Sequence, residues 1–154
     1  MAISERSAAV TWGIFISRIL GLLVYVAAFF LPACREAAGR DGDAPTILQG
    51  SRCALITLVN SFNHEVWHSK YFLAVLSGWI NPLILLYLFL LILPVFVWPR
   101  RVVAGVILLF IAATWVLFYQ IPLVPLVGHF LWIAGILMIL AGEAFPRRKS
   151  APLI

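Results

Sequence analysis

The sequence predicts an all-α fold: a polytopic membrane protein with four transmembrane helices and a long extracytoplasmic first loop. Three observations favour it. Hydrophobic residues make up 64% of the 154 residues and charged residues only 11%, whereas soluble domains carry about 25% charged residues. The apolar residues form long runs, and most charges lie in short clusters between those runs. Because a water-soluble chain of this length could not bury so much apolar surface, we expect lipid to surround most of it.

The first span is predicted over residues 10–31. Residues 19–31 carry no charge, but they are too few to cross a bilayer, which takes about 20 residues. Extending the span towards the N-terminus places Arg18 inside it. We interpret Arg18 as an orienting arginine that reaches the headgroups, with a buried countercharge as the alternative. The following Leu31-Pro32-Ala33-Cys34 also resembles a bacterial lipoprotein cleavage box, which would make Cys34 a lipidation site.

The outer loop is predicted over residues 32–75. Residues 35–52 are rich in Gly, Ala, Asp and Arg, which is typical of an exposed loop. Residues 53–62 are apolar but too short to span, so they predict an interfacial or re-entrant helix. In the alternative, residues 53–80 are part of a kinked span. Both arrangements are open because Asn81-Pro82 either kinks a long helix or begins the next span.

The remaining spans are predicted over residues 76–97, 102–120 and 126–144. Trp98 is predicted to mark the membrane interface, and Pro99-Arg100-Arg101 to be the loop between the second and third spans. Glu143 precedes Arg147 by four residues, which predicts an ion pair along one helix face.

Small residues predict where the helices approach each other. Ser17 and Gly21 lie one turn apart in the first span, and Gly135 and Gly142 lie a heptad apart in the last. Small side chains at such spacings allow close helix packing in lipid, so we expect a compact bundle.

The distribution of charge predicts the orientation. The N-terminal segment, the loop at residues 100–101 and the C-terminal tail hold seven of the eleven Lys and Arg residues but only two acidic residues, whereas acidic and basic residues balance in the outer loop. The positive-inside rule therefore predicts a bacterial cytoplasmic membrane protein with both termini in the cytoplasm. No basic face with interleaved aromatic residues is present, so we expect no nucleic-acid partner.

A zinc site is one interpretation of His64-Glu65-Val66-Trp67-His68. On a helix, His64 and His68 would face the same way and share Zn²⁺, while Glu65 would deprotonate a metal-bound water. His129 is the candidate third ligand because the topology brings it to the same side, as it does Glu36, Asp41 and Asp43. In the alternative, these are interfacial and solvated side chains, and no cofactor is expected.

The two cysteines predict a disulfide. Both lie in the outer loop, where disulfides persist, and a Cys34–Cys53 bond would close a loop of about 20 residues, worth about 3 kcal/mol. Quinone-coupled thiol oxidases share the four-span outline, but they use a C-x-x-C pair that this sequence lacks. Two separate cysteines therefore favour a structural bond, or none, over an oxidase.

Three short segments carry a family resemblance. Residues 29–33 (FFLPA), Gly50-x-x-Cys53-Ala54-Leu55 and Asn81-Pro82-Leu83 together resemble small uncharacterised bacterial multi-span membrane proteins. The resemblance covers about half the chain and implies a multi-span fold, but no defined activity.

Function is predicted from what the spans lack. They carry few of the charged mid-span residues that transport or proton relay would need. We therefore expect a non-enzymatic accessory, assembly or interaction subunit of a cytoplasmic-membrane complex, in contact with the bilayer and a membrane-protein partner. Its predicted docking face is aromatic: Phe62, Trp67, Tyr71, Phe72 and Trp79. The alternatives are a zinc-dependent, peptidase-like membrane enzyme and a small-solute transporter, for which only Asn81, Thr114 and Gln120 could line a polar path.

Overall fold

The computed structural model describes residues 2–36, 46–67, 72–93, 95–120 and 123–143 of the chain. The described chain is mostly helical, which confirms the predicted fold class in its coarse form. Its helices are α1 (Ala2–Ala28), α2 (Gly50–Asn60), α3 (His64–Trp67), α4 (Phe72–Ile92), α5 (Val97–Gln120) and α6 (Val127–Leu140), and three short strands accompany them: β1 (Pro32–Glu36), β2 (Ile47–Gln49) and β3 (Leu123–Pro125).

Three helices are long and apolar enough to cross a membrane. Within the described residues they are Thr11–Ala28 of α1, the whole of α4 and the whole of α5. Helix α6 is shorter, but a 3₁₀ turn (Ala141–Glu143) continues it, so that its apolar stretch is Val127–Glu143. Long apolar runs without charges form helices in lipid because only a helix satisfies every backbone polar group within one segment.

Helix α4 continues through Pro82, although proline removes one backbone donor. The preceding residue fastens this point to two neighbouring helices. Asn81 Oδ1 accepts hydrogen bonds from the Tyr25 hydroxyl at 2.9 Å and from Trp132 Nε1 at 3.1 Å. Of the two arrangements that the sequence left open, a single helix through Asn81-Pro82 is the one observed.

Residues 98–101, predicted as an interface residue and the loop before the third span, are part of a helix instead. Helix α5 begins at Val97, so Pro99, Arg100 and Arg101 lie in its first turns. Proline is tolerated at a helix start because the first N–H groups have no partner within the helix. The helical start of α5 therefore holds Arg100 on a rigid element, where it is buried.

The structure contains a three-stranded antiparallel sheet that the all-α prediction did not include. Strand β1 lies in the centre, between β2 and β3. Residues 35–36 and 47–49, expected in an exposed loop, therefore belong to strands. The partner β3 comes from a segment about 90 residues further along the chain. Strands of three to five residues carry no alternation that periodicity could detect.

Helices α2 and α3 lie against α4 and do not form a span. The Ser61 hydroxyl, just after α2, donates to the Val75 carbonyl at 3.2 Å, and Trp67 Nε1 donates to the Ser61 carbonyl at 2.9 Å. Helix α2 contains no buried residue. Its N-terminus is held by the residues that follow α1. The Gly50 N–H donates to the Leu31 carbonyl and the Ser51 N–H to the Phe29 carbonyl, both at 2.9 Å.

The small residues of α1 and α6 pack against each other; the sequence predicted close packing at these residues but not which helices would pair. A Cβ atom added to Gly135 would lie 2.6 Å from the Tyr25 backbone nitrogen, and one added to Gly21 would lie 2.8 Å from the Gly135 carbonyl oxygen. The Ser17 hydroxyl donates to the Met138 carbonyl at 3.1 Å. Beside this contact, a core of fully buried residues joins α4, α5 and α6: Ile80, Ile84, Tyr87, Ile107, Ile136 and Ile139.

Candidate functional site: a cavity lined by two cysteines

A cavity of about 280 Å³ lies where the sheet meets the helices. Strand β1, helix α2 and parts of α1, α4, α5 and α6 line it. Its wall is mostly apolar. The polar and charged residues that line it are Cys34, Glu36, Cys53, Thr57, Asn60, Ser77, Asn81, Thr114 and His129. Small-molecule sites have this composition and begin at roughly 300 Å³, so the cavity has the size of a site for one ring-bearing molecule.

The two cysteines are in contact at the cavity wall. Their sulfur atoms lie 3.2 Å apart and both residues are thiols. Strand β1 positions Cys34, which pairs with Leu48 on one side and Pro125 on the other, while Cys53 lies in the first turn of α2. The predicted disulfide stays a prediction, and the structure shows the proximity that it requires.

The two thiols differ in acidity because they share one hydrogen bond. When Cys34 is ionised, the Cys53 thiol donates to it and stabilises the thiolate, which lowers the pKa of Cys34 although its burial and the nearby Glu36 charge oppose this. The same hydrogen bond raises the pKa of Cys53, and burial raises it further. Cys34 is therefore the thiol that ionises first, and a thiolate is the nucleophilic form of cysteine.

Asn81 is the polar centre of the cavity floor. Trp132 Nε1 can only donate a hydrogen bond, so the Asn81 atom that it contacts must be the amide oxygen. Tyr25 and Trp132 both bind this oxygen, which fixes the orientation of the Asn81 amide. Ser77 and Thr114 also line the cavity, but their hydroxyls donate to the Ala74 and Phe110 carbonyls of their own helices.

His129 is buried among aromatic rings beside this floor. It is 7% exposed, and its ring lies 4.6 Å from that of Phe118 and 5.6 Å from that of Trp132, centroid to centroid. Among the described residues no group forms a hydrogen bond with His129 Nε2. A buried nitrogen without a partner costs about 1–3 kcal/mol, so this atom is suited to contact a ligand in the cavity.

The predicted zinc ligands are placed differently. His64 and Glu65 are exposed on α3, and His64 does not line the cavity that contains His129. His68, Asp41 and Asp43 lie outside the described residues. Within the described ranges, no three His, Cys, Asp or Glu side chains are grouped so as to hold a metal ion, so His129 does not join His64 and Glu65 there.

A second polar cluster surrounds the Glu143 carboxylate beyond the end of α6. Arg18 Nη2 lies 3.3 Å from Oε1, Arg101 Nε lies 3.9 Å from Oε2, and the Tyr87 hydroxyl donates to Oε1 at 3.0 Å. Arg100 Nε lies 2.7 Å from Oε1 without the alignment of a hydrogen bond, and its Nη2 donates to Oε2 at 3.2 Å. We call these four charged residues and Tyr87 the carboxylate cluster.

The carboxylate cluster changes two interpretations made from the sequence. Arg18 is a countercharge to Glu143, which was the alternative to a headgroup-seeking arginine. The expected partner of Glu143, Arg147, lies outside the described residues, and the partners observed come from distant parts of the chain. The charge count had already placed Arg18, Arg100, Arg101 and Glu143 on one side of the membrane, and that shared side was the signal for this cluster.

Comparison of the chain with protein-family models, with curated proteins and with solved structures gives no match. The site must therefore be interpreted from its own geometry.

Proposed function

We propose that this chain is a multi-pass protein of the bacterial cytoplasmic membrane that binds a small, largely apolar molecule in the cavity on its outer side. The cavity carries this proposal. It is a mostly apolar space, and its lining includes Asn81, whose amide is fixed by hydrogen bonds, and His129, whose Nε2 has no partner among the described residues. Few well-placed polar groups in an apolar wall are typical of small-molecule sites.

Four crossings are part of this proposal. The three long apolar helices supply three of them. The stretch Val127–Glu143 supplies the fourth, because its 17 residues extend about 26 Å as a helix, close to the hydrocarbon thickness of about 30 Å.

The proposed orientation places the cavity outside. His129 lies at the start of α6, and the carboxylate cluster lies beyond its other end. Three arginines on one side of a bundle favour the cytoplasmic side. Both termini are then cytoplasmic. A C-terminal fusion to green fluorescent protein should fluoresce and a fusion to alkaline phosphatase should be inactive; the reverse result would contradict the orientation.

Binding is tested by filling the cavity. Ala54 lines the cavity from α2, whereas its neighbour Leu55 is 61% exposed. Native mass spectrometry of protein purified from bacterial membranes should show a retained small molecule in the wild type and in Leu55→Trp, and its loss in Ala54→Trp. Equal masses of bound material in all three proteins would contradict the proposal.

We also propose that the protein binds this molecule as an accessory subunit of a larger membrane complex. Of the predicted docking face, Phe62, Trp67 and Phe72 are exposed, and Tyr71 lies outside the described residues. The ring centroids of Phe62 and Trp79 lie 5.9 Å apart, and those of Trp67 and Phe72 lie 5.8 Å apart. Affinity purification should recover a larger membrane complex from wild-type cells, and Phe62→Glu should release it. Recovery of the chain alone under mild detergent would contradict this role.

Transport is a second candidate because two of the three predicted path residues, Asn81 and Thr114, do line the cavity. Gln120 is exposed and does not. Vesicles containing the protein should then take up a small solute, and Ala54→Trp should stop the uptake. The zinc enzyme remains a prediction as well, and zinc bound by the purified protein should disappear in His64→Ala if it is correct.

A further inference from the structure

We propose that Cys34 and Cys53 form a redox-active dithiol that reduces a quinone bound in the cavity. This inference rests on the proposed binding function and adds the class of ligand and the reaction. Its starting observation is that both cysteines line the cavity and that their sulfur atoms lie 3.2 Å apart.

The pair is built for two-electron chemistry. A disulfide requires the sulfurs to close to about 2.05 Å, so the observed contact needs only a small movement. Strand β1 is held on both sides by its partner strands, and hydrogen bonds from the Gly50 and Ser51 N–H groups hold the start of α2 beside it. Backbone contacts on both sides therefore keep the two sulfurs close together.

The thiols also have separate roles. The Cys53 thiol donates its hydrogen bond to Cys34, which lowers the pKa of Cys34 and raises that of Cys53. Cys34 is therefore the attacking thiolate and Cys53 the resolving thiol. This division is the one that C-x-x-C enzymes obtain from sequence proximity; here the sheet and α2 bring the two residues together across the chain.

The cavity wall specifies the oxidant. Flat rings of Phe29, Phe118 and Trp132 line it, and such rings favour stacking on another planar ring. A quinone oxygen needs a hydrogen-bond donor, and His129 Nε2 is a buried ring nitrogen without a partner among the described residues. A lipid-soluble oxidant would also be available to a protein surrounded by the bilayer. A quinone is the class of molecule that meets these three conditions.

The reaction is balanced without a further reactant. The Cys34 thiolate adds to a ring carbon of the quinone and forms an S–C bond. The Cys53 thiolate then attacks the Cys34 sulfur, which forms the S–S bond and breaks the S–C bond, and that electron pair passes into the ring. The two protons lost by the thiols end on the two ring oxygens. One dithiol and one quinone give one disulfide and one quinol.

The test uses the full-length protein in lipid nanodiscs, reduced and then mixed with decyl-ubiquinone in the absence of oxygen. We measure binding by quenching of tryptophan fluorescence, reduction by the loss of quinone absorbance, and the Cys34–Cys53 bond by peptide mass spectrometry. The wild type should bind quinone, reduce one equivalent and form this disulfide.

Matched variants separate the two proposals. Cys34→Ser and Cys53→Ser should each bind quinone and lose its reduction, while Leu55→Trp should behave as the wild type. Ala54→Trp should lose both binding and reduction, yet still form the disulfide with the small oxidant diamide. Quenching that shows retained binding in the Ser variants also shows that they fold.

Each remaining outcome has one meaning. Binding in the wild type without quinone reduction overturns the redox inference and leaves the proposed binding function intact; a disulfide formed by diamide but not by quinone would then mark the pair as structural. No quinone binding, together with an adduct of another molecule in native mass spectrometry, overturns the quinone assignment alone. No bound molecule in either experiment overturns both proposals.

Discussion

The carboxylate cluster and the cavity are both polar regions of an apolar bundle, but their polar groups are used in opposite ways. In the cluster, Glu143 receives three arginines and a tyrosine hydroxyl. In the cavity, most of the polar groups are neutral, Glu36 is the one carboxylate of the described lining, and His129 Nε2 has no partner among the described residues. The first region holds distant segments together through charge, whereas in the second a buried histidine nitrogen is available to a ligand.

This difference indicates which region serves function. Charged groups within a membrane are often functional, and the cluster would attract attention on that basis. Its carboxylate is already saturated by partners within the chain, so its groups have a structural explanation. Most polar groups of the cavity also have partners within the chain, but His129 Nε2 has none among the described residues, and it is there that a ligand would complete the contacts.

The largest expected effect is at the carboxylate cluster. Arg100 is 5% exposed, and Glu143→Gln would leave its charge uncompensated beside two further arginines. Removing one partner from a buried ion pair costs about 3–5 kcal/mol, so we expect thermal unfolding in detergent at a markedly lower temperature. Glu65→Gln is the matched control, because Glu65 is exposed on α3 and should change stability by at most about 0.5 kcal/mol. Equal stability of the two variants would show that the cluster does not fasten the bundle.

The next effect concerns the contact that joins the two regions. In Gly135→Ala the new Cβ would meet the Tyr25 backbone nitrogen at 2.6 Å. Because backbone on both sides must move, we expect a loss of about 1–3 kcal/mol. Gly105→Ala has no atom within 4 Å of its new Cβ and lies within helix α5, so it should gain about 0.5–1 kcal/mol. The opposite signs, measured by unfolding of both variants, form the test; a gain in both would mean that α1 and α6 do not pack closely.

A smaller effect is expected at the cavity floor. Asn81→Ala removes the acceptor of both Tyr25 and Trp132. Each donor left without a partner costs about 1–3 kcal/mol when buried, but water in the adjacent cavity can replace part of this, so we expect a total near 1–2 kcal/mol. Tyr25→Phe removes only one of the two hydrogen bonds and should cost less. A cost for Asn81→Ala as large as that for Glu143→Gln would contradict the distinction between the two regions.

Much of this architecture follows from the sequence because it depends on local pattern. The apolar runs predict the long helices, and the small residues Ser17, Gly21 and Gly135 predict close helix packing, although not that α1 packs on α6. The features that the sequence did not predict are pairings between distant segments. Nothing near residues 123–125 indicates that they complete a sheet with residues 32–36. The nearest basic residue after Glu143 suggested a local ion pair, whereas the partners observed among the described residues are distant arginines.

The cavity illustrates the same limit. The disulfide prediction brought Cys34 and Cys53 together through loop closure, but it gave no reason to place them beside His129 and Asn81. That arrangement depends on the sheet, which orients Cys34, and on the continuity of α4 through Pro82. Interpretation of the cysteines as purely structural followed from the absence of a C-x-x-C motif, which measures proximity along the chain and not in space.

The smallest expected change is a shift in reactivity at the cavity. The hydrogen bond from the Cys53 thiol lowers the pKa of Cys34 because it stabilises the thiolate. In Cys53→Ala this donor is lost, the pKa of Cys34 rises, and the pH at which alkylation of Cys34 by iodoacetamide is half-maximal should move upward. Cys53→Ser retains a hydroxyl donor and should recover part of the shift. Mass spectrometry of Cys34 alkylation across a pH series measures it. An unchanged midpoint in Cys53→Ala would mean that the two thiols do not interact, and the separate roles assigned to Cys34 and Cys53 would then lose their basis.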